Sequence, residues 1–378
     1  MKLCFVIYNY FPHGGQQRDF LQIATRCMQR GHEVKVYTLE WQGEIPVGMD
    51  LTLSPVKALS RLRRFQRFNE WTAQQLTVEE ADLVVGFNKM PHLDVYFAAD
   101  SCFVEKAENQ RGLYYRHTPR YRHFTTFEEA VFGADSSTQV LLLSALQRKG
   151  YLNYYPCSKS RLHLLPPGLA EDRRVKKRDQ QSRQSLRIEF NLADNQLLLL
   201  QIGSGFTVKG VDRALRAIAC LPREWKAKVH YMLIGRGRPQ RYLRLAKKLG
   251  IGQQLTVLPG RDDILRFLTG ADLLLHPAYQ ESAGYVLLEA AVAGLPVLTT
   301  GSCGYACHIE QVRAGEVCTE PFQQSELNAR LLSMLRNLDT AAWSENGLAF
   351  GAHPELYRKY DTAVELLEQF GESGQRQS

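Results

Sequence analysis

Residues 273–300 read LLLHPAYQESAGYVLLEAAVAGLPVLTT, and this stretch decides the fold class. Residues 273–276 and 297–300 are short apolar runs of strand length, and residues 282–293 between them are of helix length. A short all-apolar strand, a helix and another such strand form the repeating unit of a parallel sheet covered on both faces.

The same alternation extends in both directions. Upstream in the second half, strands are expected at 197–203, 229–235 and 256–258, with helices at 211–219, 239–249 and 262–269. In the first half, 3–8, 34–39, 51–56, 83–87 and 140–143 read as strands, and 16–30 and 62–76 as helices. Pro166-Pro167-Gly168 can continue neither a ladder nor a helix and marks a linker. The expectation is therefore α/β, with two doubly wound Rossmann-like domains facing a cleft. Residues 1–166 form the first domain, 167–352 the second, and 353–378 a C-terminal helix returning to the first. In such folds ligands bind just beyond the C-terminal ends of the strands.

Bulk properties narrow the class. The 378 residues suit two domains, and 44% hydrophobic with 23% charged is a globular composition. No run of about 18 apolar residues occurs, and the five apolar residues at 3–7 are too few for a signal-peptide core. Eight scattered cysteines without Cys-x-x-Cys suit reduced thiols, so a cytoplasmic setting is expected. The net charge of +8 is concentrated. Residues 57–67 carry five basic residues and no acid, and 173–187 carry seven against Asp179. Residues 111–123 place Arg111, Arg116, Arg120, Arg122, His117 and His123 among Tyr114, Tyr115 and Tyr121. Such clusters favour an anionic partner unless they are simply solvated faces.

Three post-strand segments carry candidate chemistry. Pro12-His13-Gly14-Gly15-Gln16-Gln17-Arg18-Asp19 runs into a helix, where paired glycines and free N–H groups suit close approach of an anion. Gly203-Ser204-Gly205-Phe206-Thr207-Val208-Lys209-Gly210 matches neither the P-loop nor the G-x-G-x-x-G spacing. It remains a glycine turn presenting Lys209 beside a helix start, suited to a diphosphate. In the opening stretch, Glu289 stands among Val, Leu and Ala, where a buried carboxylate needs donors from protein or ligand. If helix runs from Glu281 to Glu289, eight residues span roughly 12 Å. That is wider than the roughly 5–9.5 Å of hydrolytic carboxylate pairs, so the two are expected to touch different parts of one long ligand.

Glu281-x7-Glu289 after a strand, with Lys209 after a glycine turn, resembles the retaining GT-B glycosyltransferases grouped as family 4. Tyr10-Phe11-Pro12, Gln17-Arg18-Asp19-Phe20, Val85-Gly86-Phe87-Asn88-Lys89-Met90-Pro91, Lys209-Gly210-Val211-Asp212-Arg213 and Gly294-Leu295-Pro296-Val297 carry the resemblance along nearly the whole chain. Within the family they resemble the enzymes that glucosylate the lipopolysaccharide core.

The resemblance implies several roles. Glu281 contacts donor-sugar hydroxyls and Glu289 the ribose, while Lys209 and Arg173 neutralise the diphosphate. Ala283, Gly284 and Tyr285 offer backbone N–H groups, and Gly15 leaves room for the donor. Asp19 lies on the acceptor side and Asp100 near the reacting sugar carbon. The implied partners are UDP-glucose, an inner-core heptose of lipopolysaccharide, and the anionic cytoplasmic face of the inner membrane. Arg111, Tyr114, Tyr115, Arg116, Arg120, Tyr121 and Arg122 would seat the chain on that face. Gln16 and Ser282 depart from the family's usual residues, so UDP-galactose and UDP-N-acetylglucosamine stay open as donors. No Asp-x-Asp occurs, and neither metal nor cofactor is expected. Nucleic-acid binding by the basic patches is the rival class, and it leaves Glu289 unexplained.

Overall fold

The computed structural model describes residues 1–12 and 14–375; His13 of the first glycine turn and residues 376–378 lie outside the described residues. The chain divides into two compact units, Met1–Pro167 with the chain from Arg358 onward, and Gly168–Tyr357.

The first unit is built on seven strands: β1 (Lys2–Tyr10), β2 (Glu33–Trp41), β3 (Met49–Leu53), β4 (Leu83–Gly86), β5 (Val95–Ala98), β6 (Gln139–Leu142) and β7 (Leu162–Leu164). They lie side by side in the order β3-β2-β1-β4-β5-β6-β7, and every pairing is parallel. The second unit holds β8 (Leu197–Ile202), β9 (Val229–Ile234), β10 (Leu255–Leu258), β11 (Leu273–His276), β12 (Val297–Thr300) and β13 (Gly315–Cys318). Their order, β10-β9-β8-β11-β12-β13, is again wholly parallel. The strand order switches beside the first strand of each sheet, at β1/β4 and at β8/β11, the place where such parallel sheets bind ligands.

Burial explains the unbroken apolar runs. On β8, Leu199 faces one core with Val211, Leu215 and Ile218, while Leu198 and Leu200 face another with Phe267, Leu287 and Ala291. Each is 0% exposed, a burial that stabilises by about 1.5–3 kcal/mol per side chain. In the first unit Cys4, Val6 and Tyr8 of β1 pack on one side. Phe5 on the other side meets Phe20 and Phe87 at ring-centroid distances of 6.0 and 6.2 Å.

The sequence expectation missed several elements. The polar-aromatic stretch before β6 contains helices Phe103–Gln110 and Pro119–Phe132, and β5 precedes them. The basic segment after the linker is largely folded: Asp179 caps helix Gln180–Glu189 by accepting from the backbone N–H groups of Gln181 and Ser182. Arg178, Arg183 and Arg187 are engaged within the unit. Arg183 and the buried Arg187 both pair with Asp272, and Arg178 donates to the carbonyls of Thr269 and Ala271. The C-terminal helix Lys359–Gln375 packs in the first unit, where Arg26 lies 3.2 Å from Asp361 and Arg30 lies 2.9 Å from Glu368.

Candidate active site

In the second unit the loops after β8 and β11 meet at the switch point. The first is the glycine turn. Gly203, Gly205 and Gly210 all have positive φ, and a Cβ on Gly210 would sit 1.9 Å from the carbonyl oxygen of Pro277. Only glycine lets the turn lie this close to the loop after β11. Two hydrogen bonds hold the approach: Tyr279 N–H donates to the Val208 carbonyl at 2.8 Å, and Gln201 Nε2 donates to the Lys209 carbonyl at 2.6 Å. Gln201 is fully buried in β8 and accepts from the Tyr231 hydroxyl, so it is a support that the apolar-run reading passed over.

Lys209 reaches across to Glu281. Its ammonium donates to one carboxylate oxygen, and the other oxygen lies 2.7 Å from Nε2 of His276, which is 0% exposed. Burial alone would raise the Glu281 carboxyl, but the charges and hydrogen bonds of Lys209 and His276 outweigh it and hold the group down to about 2. The strand-end His276 was not singled out in the sequence, although a histidine closing an otherwise all-leucine strand was its signal. Thr299 donates to the His276 carbonyl at 3.0 Å, and Thr300 and Ser302 each donate to the Ala278 carbonyl at 2.8 Å. The loop carrying Glu281 is thus tied to the end of β12.

Glu281 and Glu289 are not eight residues apart on one helix. The helix is Tyr285–Val292, capped by Gly284 at φ 94°. Glu281 to Ala283 instead pair with the turn after β12: Glu281 N–H donates to Ser302 at 3.0 Å, and Tyr305 N–H donates to Ala283 at 2.7 Å. The 12 Å estimate therefore falls. Of Ala283, Gly284 and Tyr285, only Tyr285 is helical, and Ala283 and Gly284 lead into it. Glu289 is 8% exposed, and Arg173, on a single helical turn Glu171–Arg173, places Nε 3.8 Å from its Oε1. The unit thus assembles two cation–carboxylate pairs, Lys209–Glu281 and Arg173–Glu289. Fixed cations with nearby carboxylates can oppose a leaving diphosphate and orient hydroxyls.

In the first unit, helix Gly15–Gln29 starts at the end of β1 with Gly14 as its cap, and a Cβ on Gly15 would meet nothing within 4 Å. Gly14 is the constrained one, since a Cβ there would lie 1.8 Å from Gln17. Asp19, expected on the acceptor side, is 1% exposed, 2.7 Å from Lys359 Nζ and 2.9 Å from the Tyr360 hydroxyl, so its carboxylate is bound by the C-terminal helix. Asp100, just past β5, is exposed and lines a pocket of about 470 Å³ with Tyr8, Asn88 and Lys89.

The aromatic-basic residues lie on or beside helix Pro119–Phe132. Tyr114 is 90% exposed, Arg122 is exposed, and Arg111 lies 5.5 Å over the Tyr115 ring, whose edge meets Tyr121 at 6.0 Å. Arg116 is engaged with Glu108 at 2.8 Å, and Arg120 lies over Phe124. Beneath them Glu128 is 0% exposed. It accepts from the N–H groups of Phe103 and Val104, from Lys89 Nζ at 2.5 Å and from the Tyr155 hydroxyl at 2.9 Å. Sequence reasoning missed it.

Two doubly wound parallel domains, with paired cations and carboxylates at a switch point, are the arrangement expected of a GT-B glycosyltransferase. Residues 182–349 match the family described as Glycosyl transferases group 1. The lipopolysaccharide glucosyltransferase WaaG of Escherichia coli (strain K12) is 42% identical over 97% of this chain and 98% of its own length. The chain belongs to this glycosyltransferase family. A crystal structure of WaaG superposes with a TM-score of 0.90 at 42% identity, covering 96% of this chain and 99% of the other. Anabaena Alr3699/HepE in complex with UDP-glucose shares the fold, with a TM-score of 0.74 at 17% identity and 99% of both chains covered.

Proposed function

We propose that this enzyme transfers glucose from UDP-glucose to an inner-core heptose of lipopolysaccharide with retention at the sugar carbon. The observation that carries the reading is the pair of cation–carboxylate contacts, Lys209–Glu281 and Arg173–Glu289, built around one switch point. The 42% identity to WaaG supports the acceptor class. In this mechanism Lys209 and Arg173 offset the charge that grows on the departing UDP, so no divalent ion is needed. Glu281 and Glu289 aim the donor sugar and ribose, and Asp100 stands near the reacting carbon. With no protein nucleophile, the leaving phosphate takes the acceptor proton on the face it departs from.

The deciding experiment incubates UDP-glucose, UDP-galactose or UDP-N-acetylglucosamine with and without truncated-core lipopolysaccharide and looks for a new glycoside. Glucose transfer that survives EDTA is expected. Transfer of another sugar would replace the donor, and loss in EDTA would turn attention to His276, Glu281 and Cys303, whose ligand atoms lie within 4.8 Å of one another. Thermal stabilisation by UDP and none by an oligonucleotide would reject nucleic-acid binding.

No helix among the described residues is long and apolar enough to cross a membrane. In the proposed setting the enzyme is peripheral on the cytoplasmic face of the inner membrane, held through Arg111, Arg122 and the exposed Tyr114.

A further inference from the structure

We propose that the second unit makes its own contact with an anionic lipid bilayer, through helix Gln240–Lys248 and the turn that precedes it. The inference rests on the peripheral setting proposed above and adds to it a surface on the other unit. Residues 236–248 read RGRPQRYLRLAKK, with six basic residues and no acid. The helix is amphipathic. Tyr242 and Ala246 are buried in one core with Val211, Leu215 and Ile218. Arg241, Arg244, Lys247 and Lys248 are exposed on the outer face, as are Arg236 and Arg238 in the turn. None of the six forms an ion pair among the described residues. By contrast, Arg183 and Arg187 share Asp272, Arg261 and Arg266 share Asp263, and Arg330 meets Glu326.

Local energetics do not account for this stripe. Arg244 stands three or four residues from Arg241, Lys247 and Lys248, a spacing at which like charges oppose helix formation. The first turn carries no acid to meet the helix dipole and carries Arg241 instead, the wrong sign for that end. Lys247 and Lys248 suit the last turn, but Arg241 and Arg244 gain only from an anion supplied from outside. The face itself says which anion. A single strand of nucleic acid needs exposed rings to stack its bases, and the one aromatic of the helix, Tyr242, is 2% exposed. A protein partner needs an apolar anchor at the centre of its interface, and the outer face of the helix offers Leu243 alone, at 38%. A bilayer needs neither, since many headgroups can meet a row of cations roughly 13 Å long. The same helix also holds the donor side. The Tyr242 hydroxyl lies 2.9 Å from that of Thr207, and its ring meets Phe206 at 6.0 Å, both in the glycine turn that presents Lys209. Seating this helix on a membrane therefore seats the glycine turn with it.

The test sediments the full chain with phosphatidylcholine vesicles, with and without phosphatidylglycerol. The unmodified chain should bind only where the anionic lipid is present. R241Q/R244Q/K247Q/K248Q should weaken that binding more than about tenfold, with a thermal midpoint no lower than before, and the difference should shrink in high salt. R241K/R244K should bind as the unmodified chain does, because a bilayer reads charge and not the shape of a guanidinium group. Full vesicle binding by the quadruple variant overturns the proposal, and so does a loss in R241K/R244K. A quadruple variant that loses binding together with its thermal midpoint marks a structural role and overturns it too. Tighter binding to a single-stranded or duplex oligonucleotide than to the vesicles, at the same salt, has the same consequence. Arg122→Gln is measured in parallel. If it weakens binding and the quadruple variant does not, the contact of the first unit stands and this one falls; if neither does, the peripheral setting itself falls.

Discussion

Lys209 and Glu281 bond to one another across the loops that follow β8 and β11, so the cation assigned to the diphosphate and the carboxylate assigned to the sugar form one unit. Removing either therefore changes the other. Lys209→Met should lower kcat by about 100- to 1,000-fold, the cost of one preorganised charge at a reacting group. It should also lift the Glu281 carboxyl from about 2. Because the folded value lies below the usual value of about 4.3, this group stabilises the fold above that pH, and the contribution fades as pH falls toward 2. In Lys209→Met the folded value moves toward the unfolded one, so this carboxyl's share of the acid loss should shrink, read as a shallower acid limb in thermal unfolding. Identical acid limbs in the two proteins would show that the pair does not set this carboxyl.

Asp19 and Lys359 test a second assignment. The pair is buried, and the ammonium is pulled down to about 8 by burial, against the support of Asp19. Taking away one partner strands a charge, which costs about 3–5 kcal/mol. Asp19→Asn should thus drop the thermal midpoint sharply while the folded fraction keeps its kcat. A variant with an unchanged midpoint and lost kcat would return Asp19 to the acceptor side.

These cases mark what the sequence could and could not disclose. Leu273–His276 and Val297–Thr300 were readable residue for residue, because an all-apolar run bounded by loops records burial on both faces. The helix between them was placed three residues early, since its start depends on Glu281 and Ala283 pairing with a turn some twenty residues further on. Asp19 and Lys359 lie 340 residues apart, and no local pattern links them. The pocket around Asp100 draws Tyr8, Asn88 and Asp100 itself from beyond or near the ends of β1, β4 and β5, so only the strand order assembles it. Lys209 and Glu281 were legible because a glycine turn and a post-strand acid keep their motif spacing in the chain.

Glu128 and Glu129 sharpen that limit. They are neighbours in the sequence, yet Glu128 is 0% exposed and Glu129 is exposed. Glu128 alone receives the N–H groups that open helix Phe103–Gln110. Glu128→Gln removes the charge that Lys89 and those N–H groups require, and should cost about 2–4 kcal/mol, whereas Glu129→Gln should stay within about 0.5 kcal/mol. Hydrogen exchange should show residues 103–110 opening first in Glu128→Gln. Equal stability of the two variants would mean that the cluster does not hold this segment.

The basic surface makes the last prediction, because its arginines are not equivalent. Arg122 is exposed, while Arg116 is already bound to Glu108 at 2.8 Å. A free cation near an anionic bilayer contributes about 1 kcal/mol, and one shared with a carboxylate contributes less. Arg122→Gln should therefore weaken binding to phosphatidylglycerol-containing vesicles by about fivefold, and Arg116→Gln by clearly less. Both effects should shrink in high salt, since screening shortens the reach of surface charge. Glu108→Gln supplies the converse: it frees Arg116 and removes a negative charge, so binding should tighten. Vesicle binding indifferent to all three substitutions and to salt would remove this face from the membrane contact and leave Tyr114 exposed for some other reason.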